Sequence, residues 1–199
     1  MNLNRLRHGN SKLAKSILIF DLPAVKTCPN CSACASTCYA VKTERRWRNV
    51  AHWRDYNLEL VKKDLEGDTK LLRMLCAQLS KEKPKYVRIH SSGDFFSQAY
   101  LDWWEAIAWT FPKTTFYAYT KMYCALDFKS FANLPNVNIL NSVVEYGKNF
   151  GSLEWCKEVS DRVGVPICPD TLGHEGVHCG ETCTLCMRKT TERILFVQH

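Results

Sequence analysis

Short runs of β-branched and aromatic residues alternate along the chain with longer stretches in which apolar residues recur every three or four positions. The short runs predict strands over 16–20, 85–90, 114–120, 136–144, 165–168 and 194–198. The longer stretches predict helices over 43–63, 69–80, 98–110, 125–132 and 153–163. The segment after Ser97 carries every helix signal at once. Ser97 is a capping residue, Tyr100, Leu101, Trp104, Ile107, Ala108 and Phe111 form one apolar stripe, and Pro112 stops the helix. Strand–helix alternation with connections of this length predicts parallel βαβ units. The expected fold is therefore α/β, a partial or irregular (βα) barrel of about six mostly parallel strands, with an open parallel sheet as the alternative. No repeat, low-complexity tract or linker interrupts the pattern, so residues 1–199 read as a single domain.

In such folds chemistry gathers where strands end and loops begin. Those ends read Asp21, then Ser91, Ser92 and Asp94, then Thr120 and Lys121, then Asn141, Ser142 and Glu145, and finally Cys168. Alternation along the second strand puts Tyr86, Arg88 and His90 on one face and Val87 and Ile89 on the other. If the aliphatic pair packs on helices, Arg88 and His90 face the lumen and join Ser92 as candidate substrate-binding residues. Asp94, Lys121 and Asn141 end adjacent strands and are the candidate catalytic groups. The competing readings are an Arg88 that serves a structural ion pair, a satisfied core histidine at 90, and an Asp94–Lys121 pair that merely closes the barrel.

Composition excludes some classes. Hydrophobic residues make up 46% and charged residues 24%, an ordinary globular balance rather than a disordered one. The apolar run Ile17–Phe20 is far too short for a membrane span or an export signal, so a soluble protein of the cytoplasm is expected. Charge is uneven. Residues 1–85 hold 17 Lys and Arg against 8 Asp and Glu, whereas residues 86–199 hold 10 against 12. The densest stretch runs from Lys42 to Arg54, where arginines alternate with Trp47 and Trp53. That pattern suits nucleic acid, by phosphate contact and base stacking, and equally suits the solvated face of an amphipathic helix.

Eleven cysteines change the picture most. The number is odd and the chain is not small, which argues against a disulfide scaffold and for metal-binding thiols. Eight of them form two groups: Cys28, Cys31, Cys34 and Cys38, and Cys168, Cys179, Cys183 and Cys186. The first group has the C-x2-C-x2-C-x3-C spacing of bacterial ferredoxins, with Tyr39 in place of the following proline. In the second, Cys179-x3-Cys183-x2-Cys186 has the spacing of the radical S-adenosylmethionine signature, placed near the end of the chain instead of after the first strand, and Cys168 is a candidate fourth ligand. A [4Fe–4S] cluster, or two, is the favoured cofactor. Zinc is the alternative, though neither group is the pair of Cys-x2-Cys knuckles that structural zinc usually takes. Cys76, Cys124 and Cys156 stand alone and read as small buried hydrophobes. The HExxH pattern from His174 to His178 lies among Gly173, Gly176 and Gly180, which disfavour the helix a zinc protease needs.

Cys28-Pro29 leading to Cys34, Cys38-Tyr39-Ala40, the segment from Arg88 through Ser92-Gly93-Asp94 to Phe96, the run Phe116 to Thr120 and a cysteine-rich end together resemble the phage gene product 88 family, over residues 25–188. The resemblance implies a phage or prophage origin, hence host cytoplasm, and a metal on Cys28, Cys34 and Cys38; Cys31 enters from spacing alone. Alternation and C-x3-C-x2-C spacing are also similar, at fold level, to radical S-adenosylmethionine proteins. Three functions follow as expectations. The first is an iron–sulfur enzyme with a small or nucleotide-containing substrate in the lumen, its cluster acting as reductant or Lewis acid and S-adenosylmethionine a conceivable second cofactor. The others are a metal-stabilised nucleic-acid-binding protein and a simple electron carrier.

Overall fold

The computed structural model describes residues 5–31, 34–142, 152–163, 166–172, 177–189 and 194, and the side chains of Asn141 and Val163 are outside that description. Five strands form one sheet in chain order: β1 (Arg7–His8), β2 (Ile17–Phe20), β3 (Tyr86–Ile89), β4 (Thr115–Thr120) and β5 (Val137–Asn141). β1 is antiparallel to β2; all other pairs are parallel. Among the described residues six α-helices accompany them: α1 (Tyr39–Arg46), α2 (Arg48–Leu65), α3 (Lys70–Glu82), α4 (Gln98–Thr110), α5 (Lys129–Asn133) and α6 (Leu153–Val163).

Sequential strand order has a topological consequence. Right-handed crossovers that always step in one direction put their helices on one face of the sheet. The core agrees. Leu18 and Phe20 of β2, Val87 and Ile89 of β3, Phe116 and Ala118 of β4 and Val137 of β5 pack together with buried side chains of α2, α3, α4 and α5. Trp104 of α4 is its largest fully buried side chain, and it meets Phe20 edge-on at 5.5 Å. Truncating such a residue costs about 3–5 kcal/mol. The opposite face carries Ile17, Ile19, Tyr86 and Tyr117, covered by Leu13, Ala14 and Met187, with Cys179 and Cys186 against them.

Several expectations change. Among the described residues the sheet is open, with β1 and β5 as edges, so five strands of a mostly parallel sheet stand where six of a barrel were expected. The expected helix over 43–63 is two helices, broken at Trp47, whose backbone is extended (φ −126°, ψ 91°). The helix expected over 125–132 is the single turn-and-a-half of α5. Of 165–168, the described part holds one bridged residue, Ile167, and no strand. Of 194–198 only Ile194 is described. α4 and α6 have the bounds expected, and the Ser97 hydroxyl caps α4 by accepting the Tyr100 amide.

Candidate functional site

The C-terminal ends of β2, β3 and β4 and the loops beyond them carry the polar residues. Asp21, just past β2, organises this end of the sheet. Its carboxylate accepts the amides of Ser91 and Ser92, the Ser91 hydroxyl, and two N–H groups of Arg7 at 2.8 and 2.9 Å. The Arg54 guanidinium stands 3.8 Å away. Burial pushes the Asp21 carboxyl up, but Arg7, Arg54 and the Ser91 hydroxyl outweigh it and hold the group below its ordinary value.

After β3 the chain turns sharply. His90 has a left-handed backbone (φ 64°), which takes its ring off the Arg88 face and onto the helical side, where it packs on Phe95 and Tyr100. Its Nε2 pairs with the Tyr100 hydroxyl at 2.8 Å, and burial pulls the imidazole down to about 3, so it is neutral. Strict alternation, which put His90 beside Arg88, fails at this turn. His90 nonetheless borders a cavity of about 250 Å³, as do Ser92 and Asp94; the His90 Nδ1 and the buried Ser92 hydroxyl have no hydrogen-bond partner.

Asp94 is engaged by its own chain. It accepts the Thr120 hydroxyl at 2.6 Å and the amides of Lys121 and Phe95 at 2.9 and 2.8 Å. Burial raises its carboxyl above the ordinary value against the pull of those donors. The Lys121 ammonium makes no ion pair among the described residues, so the expected alternative of an Asp94–Lys121 bridge is not what the geometry shows. Asp94 and Lys121 both border the small cavity; the Asn141 side chain lies outside the described residues.

The first cysteine group follows Asp21. Backbone amides of Cys28, Cys31 and Cys34 donate to the carbonyls of Val25, Cys28 and Cys31 in turn, so the segment is held by its own backbone. Cys38 then occupies the N-cap position of α1, with no side-chain capping bond. Cys28, Cys34 and Cys38 border the small cavity, and Cys31 does not.

The second group reaches the same place from the far end of the chain. Backbone bonds from Ala14 to Cys179 and from Cys179 to Lys12 fasten it beside β2, and Asn138 of β5 donates to the Cys186 carbonyl at 2.8 Å. Gly180 has φ 93°, and a Cβ there would lie 2.6 Å from Ile17, so the segment lies hard on the sheet. Cys168, Cys179, Cys183 and Cys186 line a cavity of about 700 Å³, and Cys34 and Cys38 line it too. The thiols line this space, but among the described residues no three His, Cys, Asp or Glu side chains converge closely enough to hold a metal ion. Burial, then neighbouring thiol charge, pushes Cys179 up to about 11; burial, then Asp94 and nearby thiols, does the same to Cys28.

Arg88 borders both cavities. Its guanidinium lies over the rings of Tyr119 (4.8 Å) and Tyr117 (5.9 Å), Nε donates to the His90 carbonyl, and no carboxylate pairs with it among the described residues. The structural ion pair allowed for Arg88 is thus absent there. Arg54, counted from sequence in the basic surface, is instead buried and bound to Glu44 at 2.9 Å. Of the lone cysteines, Cys156 is buried and Cys76 half-buried, but Cys124 is exposed. No helix among the described residues is long and apolar enough to cross a membrane. The HExxH segment falls mostly outside the described residues.

Comparison with known proteins gives relatives without a reaction. The Gene 88 protein of Mycobacterium phage D29 is 33% identical over 120 residues, 57% of this chain and 50% of that protein. The Gene 88 protein of Mycobacterium phage L5 is 34% identical over 118 residues, 56% of this chain and 49% of that protein. The chain therefore spans about half the length of the curated relatives it matches. No solved structure matches it, and the fold-level likeness to radical S-adenosylmethionine proteins finds no support. The family model described as Gene product 88 matches residues 1–173, a span that holds the first cysteine group and Cys168 but stops short of Cys179, Cys183 and Cys186. The chain belongs to the gene product 88 family.

Proposed function

We propose that the two cysteine segments hold a [4Fe–4S] cluster in the larger cavity, and that the protein is an iron–sulfur enzyme acting on a small substrate bound beside it. The observation that carries this reading is the single cavity. Cysteines more than 120 residues apart in sequence line one space together with a half-buried cation, Arg88, that has no carboxylate partner among the described residues. A partly desolvated charge without a counter-charge is costly in proportion to its burial. A thiolate-ligated cluster, whose net charge is negative, would supply the missing counter-charge to Arg88. A single zinc ion needs four sulfurs about 2.3 Å from one point, and no such convergence exists among the described residues; a cubane takes its thiolates on separate iron corners and so accepts wider spacing. Cys34, Cys38, Cys168, Cys179, Cys183 and Cys186 are the ligand candidates, with Cys28 at the adjoining small cavity and Cys31 set apart.

Bound there, a cluster would supply an electron or, with one open iron, a Lewis acid. The chain's own groups divide the remaining work. Lys121 offers an ammonium with no ion-pair partner among the described residues at the junction of the two cavities, and Ser92 an unpartnered hydroxyl. Asp94 is a positioning residue: it fixes the Lys121 backbone and the end of β4. Purification without oxygen followed by iron and sulfide analysis tests the proposal. Near-equal iron and inorganic sulfide, lost in Cys34→Ser and Cys183→Ser but kept in Cys124→Ser, is the expected result. Stoichiometric zinc without sulfide overturns it.

A second reading rests on the surface around the α1–α2 break. Lys42, Arg45, Arg46 and Arg48 are exposed without acidic partners among the described residues, beside an exposed Trp47. Nucleic-acid binding there would weaken steeply with salt; salt-independent binding, or none, removes it.

A further inference from the structure

A second cavity of about 700 Å³ adjoins the thiol-lined one, and no part of the cluster reading uses it. The two share Tyr39, Ser91, Asn10 and Lys12 as a common wall. The Tyr39 hydroxyl donates to the Ser91 carbonyl, so this wall is fixed.

The lining is strongly cationic, with Arg5, Arg7, Lys12 and Arg54 against a single carboxylate, Asp21. Two of these charges are spoken for: Arg7 is bonded to Asp21, and Lys12 pairs with Asp170 at 2.9 Å. The other two are not fully satisfied. Arg54 is 5% exposed; Nη1 holds Glu44 and Nη2 stands 3.8 Å from Asp21, but Nε has no hydrogen-bond partner among the described residues. Arg5 lies over Tyr56 at 4.6 Å and over Trp53 at 5.4 Å, with Nε and Nη1 buried and without a hydrogen-bond partner among the described residues. Buried guanidinium N–H groups left without acceptors cost on the order of 1–3 kcal/mol each, so a cavity that keeps several of them has a use for an anion. The guanidinium fork matches the oxygens of a phosphate. The remaining wall, Ile19, Val50 and Trp53, is apolar and partly aromatic, and the volume falls in the range of small-molecule sites, well beyond what one inorganic ion fills.

We infer that this cavity binds a phosphate ester bearing a flat apolar group, of which a nucleoside monophosphate is the simplest form. The phosphate sits against Arg5 and Arg54 and the ring against Trp53 and Val50. The shared wall then lets the other end of a longer ligand pass over Tyr39 and Ser91 toward the thiol-lined cavity. That last step rests on the cluster reading; binding itself does not.

Equilibrium dialysis with AMP and dTMP, using adenosine and inorganic phosphate as controls at constant ionic strength, tests the inference. The same protein samples are assayed for iron and sulfide. The expected result is binding of a nucleoside monophosphate at least tenfold tighter than of either control, reduced at least tenfold by Arg5→Gln. Thr43→Glu, which adds a negative charge to the cavity wall on α1 without removing any apolar contact of the core, is expected to weaken binding similarly. Nucleotide binding with iron and sulfide absent from anaerobically prepared protein keeps this site while the metal analysis counts against the cluster reading. Iron-loaded protein that binds no nucleotide more tightly than phosphate overturns the site. Binding only to oligonucleotides, with none to the monomers, also overturns it and assigns the cations to a nucleic-acid path.

Discussion

Replacing Asp21 by Asn would leave the Arg7 guanidinium and the Ser91 and Ser92 donors facing a neutral amide in a site where the carboxylate is 6% exposed. Breaking a buried ion pair by removing one partner is strongly destabilising, and half-exposed Arg7 regains some hydration, so a loss of about 3 kcal/mol is expected in urea unfolding at pH 7. An Asp21→Asn protein with an unchanged urea midpoint would mean that the carboxylate is not the clasp described. His90 predicts a pH dependence. Its imidazole falls from an ordinary 6.5 to about 3, chiefly by burial, with the Arg88 charge adding to the fall and Asp21 opposing it. Between those values the unfolded chain binds the proton and the folded chain does not. Stability from this group is therefore full above pH 6.5 and is lost progressively as pH falls toward 3. His90→Asn, which tolerates the left-handed backbone, should flatten the decline of the urea midpoint between pH 6.5 and 4; an equal decline in both proteins would contradict the assignment.

Among the elements, the loop from β3 to α4 depends on one glycine. Gly93 has φ 89°, and a Cβ there would lie 2.7 Å from both Leu22 Cβ and Thr27 Oγ1. Gly93→Ala is expected to cost about 1–3 kcal/mol and to displace Ser92 and Asp94; an Ala variant as stable as the parent would show that the loop has room to relax. This loop also marks how far the sequence could be read. α4 was legible because cap, apolar stripe and stop occur in order within sixteen residues. The break at Trp47 was not, since neither proline nor glycine stands there and the apolar spacing runs through it. β1 was invisible for another reason. Two residues carry no period, and what holds them is tertiary, through Gln78 bonding the backbone of Leu6 and Asp21 bonding Arg7. Alternation put Arg88 on the right face and failed at His90, because a positive φ is not written in a residue type that usually avoids it. Asp21 was visible only as one polar strand end among several; its role appears once Arg7, Ser91 and Arg54 are brought round it.

For the molecule as a whole, spacing suggested two thiol groups, but only the fold could bring residues 34–38 and 168–186 onto one cavity, since that depends on the second segment lying across the face of the sheet that the helices leave free. Arg88 is where that arrangement meets the chemistry, and it allows a test that separates a structural cation from one that serves an occupant. The half-buried guanidinium lies over two tyrosine rings with no carboxylate partner among the described residues. Replacing a partly desolvated charge that has no counter-charge with an apolar side chain of similar length removes a desolvation cost. Arg88→Met should therefore leave the urea midpoint of the iron-free protein unchanged or raise it. In protein made with iron and without oxygen, the same substitution removes the one positive charge facing the thiols from the sheet. Iron and sulfide content should then fall severalfold, and any cluster that remains should reduce at a lower potential. A structural Arg88 gives the opposite pair of results, a destabilised iron-free protein and an undiminished iron content. Arg88→Lys keeps the charge but not the planar stacking, so it should restore much of the cluster content if charge is what the occupant needs.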